Sequence, residues 1–233
     1  MLSILGFADP ISSWMHLLGA VVFAVLGAIL VSRARGNPQR QALLIVYAVC
    51  CVLTLSVSGV YHLLPRGGER SVMLRLDHSA IFALIAGTFT AIQAILCRGW
   101  MRWIPMFVMW VAAVAGITLK ILFLTSLPGW FWVALYIVPS WIIGWPVLWM
   151  MVRNYGIRCL SLLIWGGVAY TVGAIFNKMG PQIVPGVFGP HEMWHVLVLV
   201  GMGLHWKFIY DFTQVDMEDL ATTRVAAQPS VFS

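Results

Sequence analysis

The stretch FGPHEMWHVLVLVGMGLHW, residues 188–206, combines a metal-binding pattern with a long apolar run. His191, Glu192 and His195 in it spell H-E-x-x-H, the signature of zinc proteases. The region 191–212 is also long and apolar enough to cross a bilayer, which requires roughly 20 predominantly apolar residues. This stretch therefore predicts a pair of metal ligands at the start of a membrane-spanning helix.

The composition of the whole chain agrees with a membrane protein. Of its 233 residues, 61% are hydrophobic and only 9% are charged, and the mean hydropathy is +0.91. A soluble domain cannot bury that much apolar surface, whereas membrane-spanning helices expose it to lipid.

Six further apolar stretches are long enough to span, and the breaks between them are short and carry Gly, Pro, Arg or Asn, as turns do. We predict an all-α polytopic membrane protein, a seven-transmembrane helix bundle within residues 1–212. Residues 213–233 are predicted to form a polar, disordered tail. The predicted spans are 11–31, 42–64, 76–97, 103–124, 130–152, 158–177 and 191–212.

The net charge of +6 is carried mostly by the short breaks, which indicates orientation in the membrane and contact with lipid headgroups. No basic stripe interleaved with aromatics indicates nucleic-acid binding. Eight basic residues on one side against five on the other favour an outside N-terminus and a cytoplasmic C-terminus. The eight are Arg33, Arg35, Arg40, Arg98, Arg102, Arg153, Arg158 and Lys207, and the five are Arg66, Arg70, Arg75, Lys120 and Lys178.

Ionisable residues inside a bilayer are costly and mark functional sites. Here nearly all of them fall at span ends that share one side of the membrane, because the chain reverses direction at each crossing. This convergence predicts a site at one membrane face. The residues are His16 in span one, Ser58 and His62 in span two, Asp77 and His78 in span three, and His191, Glu192 and His195 in span seven.

Spacing indicates which of these residues bind metal. His191 and His195 are four apart, so on a helix they project from one face about 6 Å apart. With His62 they supply three imidazoles and leave a fourth position open, which is typical of catalytic rather than structural zinc. We expect Asp77 to hold the attacking water and accept its proton. Ser58, one turn before His62, would orient that water or donate to a developing oxyanion.

The remaining polar residues are assigned supporting or structural roles. His78 is turned about 100° from Asp77 and is expected to support the site or to pack. His16 is either a partner of a ligand or an interfacial cap. His205 lies about 15 Å beyond His195 on the same helix, so we expect it to be structural. Glu192 should point about 100° from its neighbour, toward another helix or the surface.

Three motifs resemble the hemolysin III family, the bacterial branch of the progestin and adiponectin receptor superfamily, which is grouped with alkaline ceramidases. They are SVSGVYHLLPR (56–66), RLDHSAIFALIAGTFT (75–90) and the stretch 188–206, with a weakened motif at DPISSWMH (9–16). The family usually has Glu at Asp9 and Asn at Ser12. The resemblance implies seven spans in a bacterial inner membrane and lipids as partners. It also implies zinc ligands at His62, His191 and His195, with Ser58 and Asp77 beside the metal.

Three functions remain open at this point. The first is a zinc-dependent hydrolase of lipid amides, ceramide-like, or of lipid esters. The second is a non-enzymatic receptor-like, pore-forming or lipid-homeostasis protein with structural zinc. The third is an intramembrane metalloprotease with Glu192 as its base, which is disfavoured because His62 better supplies the third ligand.

Overall fold

The computed structural model describes residues 8–184 and 187–214 of the chain. Seven helices account for almost all of them, and each contains most of one predicted span. The only strand-like feature in this part of the chain is an isolated bridge between Val184 and Phe188. The predicted all-α architecture is confirmed. The helices are α1 (Pro10–Arg33), α2 (Pro38–Leu63), α3 (Gly68–Leu96), α4 (Trp100–Phe123), α5 (Gly129–Tyr155), α6 (Ser161–Met179) and α7 (Pro190–Phe212).

The chain is an integral membrane protein. Within the described residues, α1 to α6 are each long and apolar enough to cross a membrane. The 23 residues of α7 give a length of about 35 Å, also sufficient for a hydrocarbon core of about 30 Å. α7 carries the ionisable residues His191, Glu192 and His195 in its first turns. Of the predicted tail, residues 215–233 lie outside the described residues.

Local sequence explains where several helices begin. A proline occupies the first turn of α1, α2 and α7, where its fixed φ suits a helix and its missing N–H is not needed. Before α2, the side chain of Asn37 accepts a hydrogen bond from the backbone N–H of Arg40 at 2.9 Å, as an N-cap residue does.

The helices pack largely in chain order, and α7 returns to contact α1. α3 is the central helix, because it contacts α2, α4, α5 and α7. Most of its residues from Asp77 to Leu96 are buried. Small residues bring α1 and α2 close together, since a Cβ on Gly27 would lie 2.6 Å from that of Ala48, and one on Gly59 would lie 2.7 Å from Leu17. Close approach of this kind is common between membrane helices, and it fixes the end of α2 beside the start of α1.

α5 is the helix least packed against its neighbours. It buries only Trp132, Val147 and Met151 of its described side chains, and Trp145 and Trp149 are more than half exposed on its outer face. Trp141 faces inward, where its Nε1 donates to the hydroxyl of Thr171 on α6 at 3.2 Å. A cavity lies between part of α5 and helices α3, α6 and α7.

Candidate metal centre

Three imidazoles meet at one end of the bundle, as the sequence predicts. His62 comes from the last turn of α2, and His191 and His195 come from successive turns at the start of α7. One ring nitrogen from each residue lies within 4.8 Å of the other two. The Nε2 atoms of His62 and His191 are 3.3 Å apart, and those of His191 and His195 are 2.8 Å apart.

This geometry fits a single metal ion. Zinc–nitrogen bonds of about 2.0–2.1 Å in a tetrahedron separate the ligands by about 3.3–3.4 Å, close to the separation found between His62 and His191. A buried group of three neutral imidazoles is also the donor set that Zn²⁺ accepts in catalytic sites. His62, His191 and His195 can therefore hold a metal ion.

The other ring nitrogens of two ligands are held by neighbouring side chains. His62 Nδ1 lies 3.1 Å from a carboxylate oxygen of Asp9, which also accepts a hydrogen bond from Arg70. His195 Nδ1 lies 2.7 Å from Nε2 of His16. Partners at Nδ1 fix the orientation of an imidazole and leave Nε2 to the metal. Of the two roles left open for His16, the structure supports the partner of a ligand.

Asp9 is the carboxylate of this supporting arrangement, and it lies just before α1. Burial raises the pKa of Asp9, but hydrogen bonds from Arg70 and His62 and their positive charge outweigh burial, so the pKa is lowered from its usual 3.8. Asp9 is therefore ionised at neutral pH and stabilises the Nδ1–H tautomer of His62.

Ser58 and Asp77 lie beside the imidazoles, both buried. Ser58 is one turn before His62 on α2, and its hydroxyl interacts with the Asp77 carboxylate on α3. That carboxylate is not part of the group of close ligand atoms formed by the imidazoles. The structure thus brings the three imidazoles together, and it places Ser58 and Asp77 on a cavity that His191 and His195 also line.

A cavity of about 490 Å³ leads from the imidazoles into the bundle. His191 and His195 line its head together with Ser58 and Asp77, and the walls below are mainly apolar. On α7 the lining extends from His191 to His205, a distance of about 21 Å along the helix. A long, mostly apolar cavity with a few polar groups at one end suits an amphiphile with a single acyl chain.

Glu192, the acid of the H-E-x-x-H spelling, faces away from this cavity. Its carboxylate accepts a hydrogen bond from the backbone N–H of Gly189 at 2.8 Å and one from the hydroxyl of Ser12 at 3.4 Å. It is buried against α1, as the prediction of a neighbouring helix allowed. Through its contact with the N–H of Gly189 it caps the first turn of α7, which is the half of a capping box that a glycine N-cap permits.

Two other histidines lie outside the close group. His78 lines the cavity, and its backbone carbonyl accepts a hydrogen bond from the hydroxyl of Tyr136 at 2.9 Å. His205 donates from Nε2 to the carbonyl of Leu163 at 3.0 Å and is buried between α6 and α7, which agrees with its predicted structural role.

Sequence reasoning missed three charged residues near the centre. Asp9 was noted only as a departure from a family motif, and Arg70 and Lys120 only as basic residues near helix ends. No local spacing in the sequence links any of the three to the imidazoles.

Comparisons with known proteins agree with the geometry. A family model described as haemolysin-III related matches residues 7–206, which include every residue of the candidate centre. Hemolysin-3 of Bacillus cereus is 32% identical over 193 residues, which cover 81% of this chain and 84% of that protein. The Hemolysin-3 homolog of Bacillus subtilis (strain 168) is 31% identical over 160 residues, or 67% and 70% of the two chains.

Proposed function

Since this chain belongs to the haemolysin III family, we propose that it is a zinc-dependent membrane hydrolase of lipid amides, ceramide-like, or of lipid esters. The observation that carries the proposal is an apolar cavity lined at its head by two imidazoles of the group, His191 and His195, and by Ser58 and Asp77. This arrangement supplies a metal site, a base and a place for an acyl chain within one continuous space.

The zinc ion and the protein side chains would supply different parts of the chemistry. A bound zinc ion supplies Lewis acidity, which polarises a carbonyl and lowers the pKa of water. Asp77 accepts the proton of the attacking water and returns it to the leaving nitrogen or oxygen. Ser58 holds the Asp77 carboxylate and, when it turns to the substrate, donates to the developing oxyanion. The cavity walls hold the acyl chain and keep bulk water from the reacting carbonyl.

The test compares Asp77→Asn with wild type for zinc content and for fatty-acid release. The panel contains ceramides, other lipid amides and lipid esters. Because Asp77 is outside the imidazole group, we expect zinc content to stay at wild type while kcat falls about 10²- to 10⁴-fold. The matched control is Asp211→Asn, which removes an exposed carboxylate near the end of α7, away from the cavity.

A second candidate is a non-enzymatic protein with structural metal. The observation in its favour is that the ligands join α2 to α7, so a metal would clamp the two helices. Zinc-loaded wild-type protein that releases no fatty acid from the panel, but loses thermal stability on chelation, would establish this candidate and refute the hydrolase.

The metalloprotease alternative would need Glu192 as its base. The capping role of Glu192 leaves Asp77 as the acid on the cavity side, and we therefore do not favour proteolysis. Turnover of a membrane-embedded peptide substrate that is abolished by Glu192→Gln and unaffected by Asp77→Asn would reverse this assignment.

Orientation is the remaining part of the proposal. We place the protein in a bacterial inner membrane with its N-terminus, and so the metal site, outside. The support is the distribution of basic residues, which favours the opposite face as cytoplasmic. Reporter fusions after Phe212 should be active only with a cytoplasmic reporter, and activity of a periplasmic reporter there would refute this orientation.

A further inference from the structure

Lys120 is a buried cation for which the structure provides no anionic partner. It lies in the last turn of α4, and only 2% of it is exposed. Its ammonium is 3.9 Å from the centre of the Trp132 ring and 5.9 Å from that of Tyr136. Across residues 8–184 and 187–214 it makes no ion pair and no hydrogen bond, although a charge at membrane depth normally has such a partner.

This ammonium belongs to the same cavity as the metal centre. Lys120, Trp132 and Tyr136 line the cavity together with Ser58 and Asp77. Lys120 and Asp77 interact electrostatically, but they are not within ion-pair distance. The Asp77 carboxylate also interacts with the hydroxyl of Ser58. The cation therefore lies at the polar head of the cavity with its donors available to a bound molecule.

Other positive groups lie around the same part of the cavity. The side chain of Lys178, at the end of α6, reaches the first residue of α5, where a Cβ on Gly129 would lie 3.1 Å from its Nζ. Both residues line the cavity. α5 begins there without a side-chain cap, so its first N–H groups add the positive end of a helix dipole. The cavity head thus favours a negative group.

We propose that the cavity binds a single-chain amphiphile whose head carries an anionic oxygen group, a carboxylate or a phosphate, held by Lys120. The inference rests on the proposed function and names the substrate class of that site: acyl compounds such as N-acyl amino acids rather than neutral ceramides. Hydrolysis breaks the bond between the acyl carbon and nitrogen. The water oxygen goes to the acyl carbon, and a proton goes to the leaving amine.

Direct binding measurements test recognition of the anionic head group separately from turnover. The probes are ketone isosteres of N-palmitoylglycine and N-palmitoylethanolamine, in which CH₂ replaces the amide NH. The first probe ends in a carboxylate and the second in a hydroxymethyl group, and they do not differ elsewhere. Calorimetry on zinc-loaded wild-type protein should show about 10- to 100-fold tighter binding of the acid. Lys120→Met should remove this preference, Lys120→Arg should retain most of it, and Lys207→Met, an exposed control, should leave it unchanged.

Turnover of the two parent amides shows whether Lys120 binds the head of the substrate or the released fatty acid. We expect kcat/KM to favour N-palmitoylglycine about 10- to 100-fold in wild type and to be nearly equal in Lys120→Met. If Lys120 instead serves only the released fatty acid, Lys120→Met would relieve inhibition by palmitate without changing the ratio of the two substrates, which would overturn the proposal. Hexadecyl phosphate, tested by the same calorimetry, decides between carboxylate and phosphate heads.

The two proposals fail in different ways. Wild-type protein that binds the acid isostere preferentially through Lys120, yet hydrolyses neither amide nor the lipid panel, refutes the hydrolase and keeps the anion site. Hydrolysis with equal binding of both isosteres refutes the anion site alone. If Lys120→Met does not fold, Lys120→Gln replaces it, and the wild-type comparison of the two isosteres is decisive without any variant.

Discussion

Replacing Asp9 tests whether groups beyond the ligands tune the metal centre. Asp9→Ala removes the carboxylate that contacts His62 Nδ1 at 3.1 Å and leaves Arg70 without its anion. Asp9→Asn keeps an oxygen acceptor and removes only the charge. Although Asp9 is the N-cap residue of α1, its side chain makes no capping hydrogen bond. Neither change is therefore expected to weaken the helix.

The magnitude follows from the kind of hydrogen bond that is lost. A hydrogen bond to a charged group contributes about 1.5–3 kcal/mol, and a neutral one about 1 kcal/mol. The Asp9 side chain is 19% exposed, so solvent screening favours the lower part of that range. We expect Asp9→Ala to weaken zinc binding about 10- to 100-fold, the usual effect of losing a partner of a ligating histidine. Asp9→Asn should lose about 3- to 10-fold.

The assay is competition for zinc with a fluorescent chelator in detergent. Because the pKa of Asp9 is lowered, its carboxylate stays ionised above its unfolded value of 3.8 and its contribution is lost only as pH falls through the lowered value. The deficit of both variants should therefore be constant above about pH 5. Glu69→Gln, an exposed carboxylate in the first turn of α3, is the control. Folded Asp9→Ala protein with wild-type zinc affinity would refute the reasoning.

Four further changes test other parts of the site. His195→Gln should reduce zinc to well below one ion per chain, whereas His205→Gln should leave zinc content unchanged and lower thermal stability. Elemental analysis measures the zinc, and equal zinc loss in both variants would contradict the different roles of the two histidines. Ser58→Ala should lower kcat about 10²- to 10³-fold with zinc retained, and unchanged steady-state kinetics would contradict its role. Glu192→Gln keeps an oxygen that accepts from the N–H of Gly189 but loses the favourable charge at the helix N-terminus, so it should cost about 0.3–1 kcal/mol of stability. Zinc-dependent turnover should persist, and loss of turnover in stable protein would return Glu192 to the chemistry.

The close group of three imidazoles could be predicted because the rules that bring its members together are simple. His191 and His195 lie one turn apart on any helix, and alternation of helix direction places the end of α2 at the same face as the start of α7. Hydropathy also located the seven spans, but it did not locate all of their ends. α3 begins at Gly68, eight residues before the predicted start, because its polar first turns carry Glu69 and Arg70 and resemble a loop.

The supporting groups could not be predicted, since they depend on how one chain segment lies on another. Asp9 reaches His62 because the chain before α1 pairs with the end of α2: the N–H of Asp9 donates to the carbonyl of His62 at 3.0 Å, and that of Ala8 to the carbonyl of Leu63 at 3.3 Å. No local spacing encodes that contact. Lys120 is similar, because its burial depends on the packing of α5 against α4.

The position of the cavity explains why the H-E-x-x-H spelling does not require protease chemistry here. A base must stand on the side from which the substrate reaches the metal. On α7 the cavity is lined by His191 and His195 but not by Glu192, which is turned toward Ser12 and the N-terminus of its own helix. The acid that lines the cavity is Asp77, supplied by the central helix α3. The glutamate is thus free to cap the helix that carries two of the ligands, and its loss should reach the metal only through the stability of that first turn.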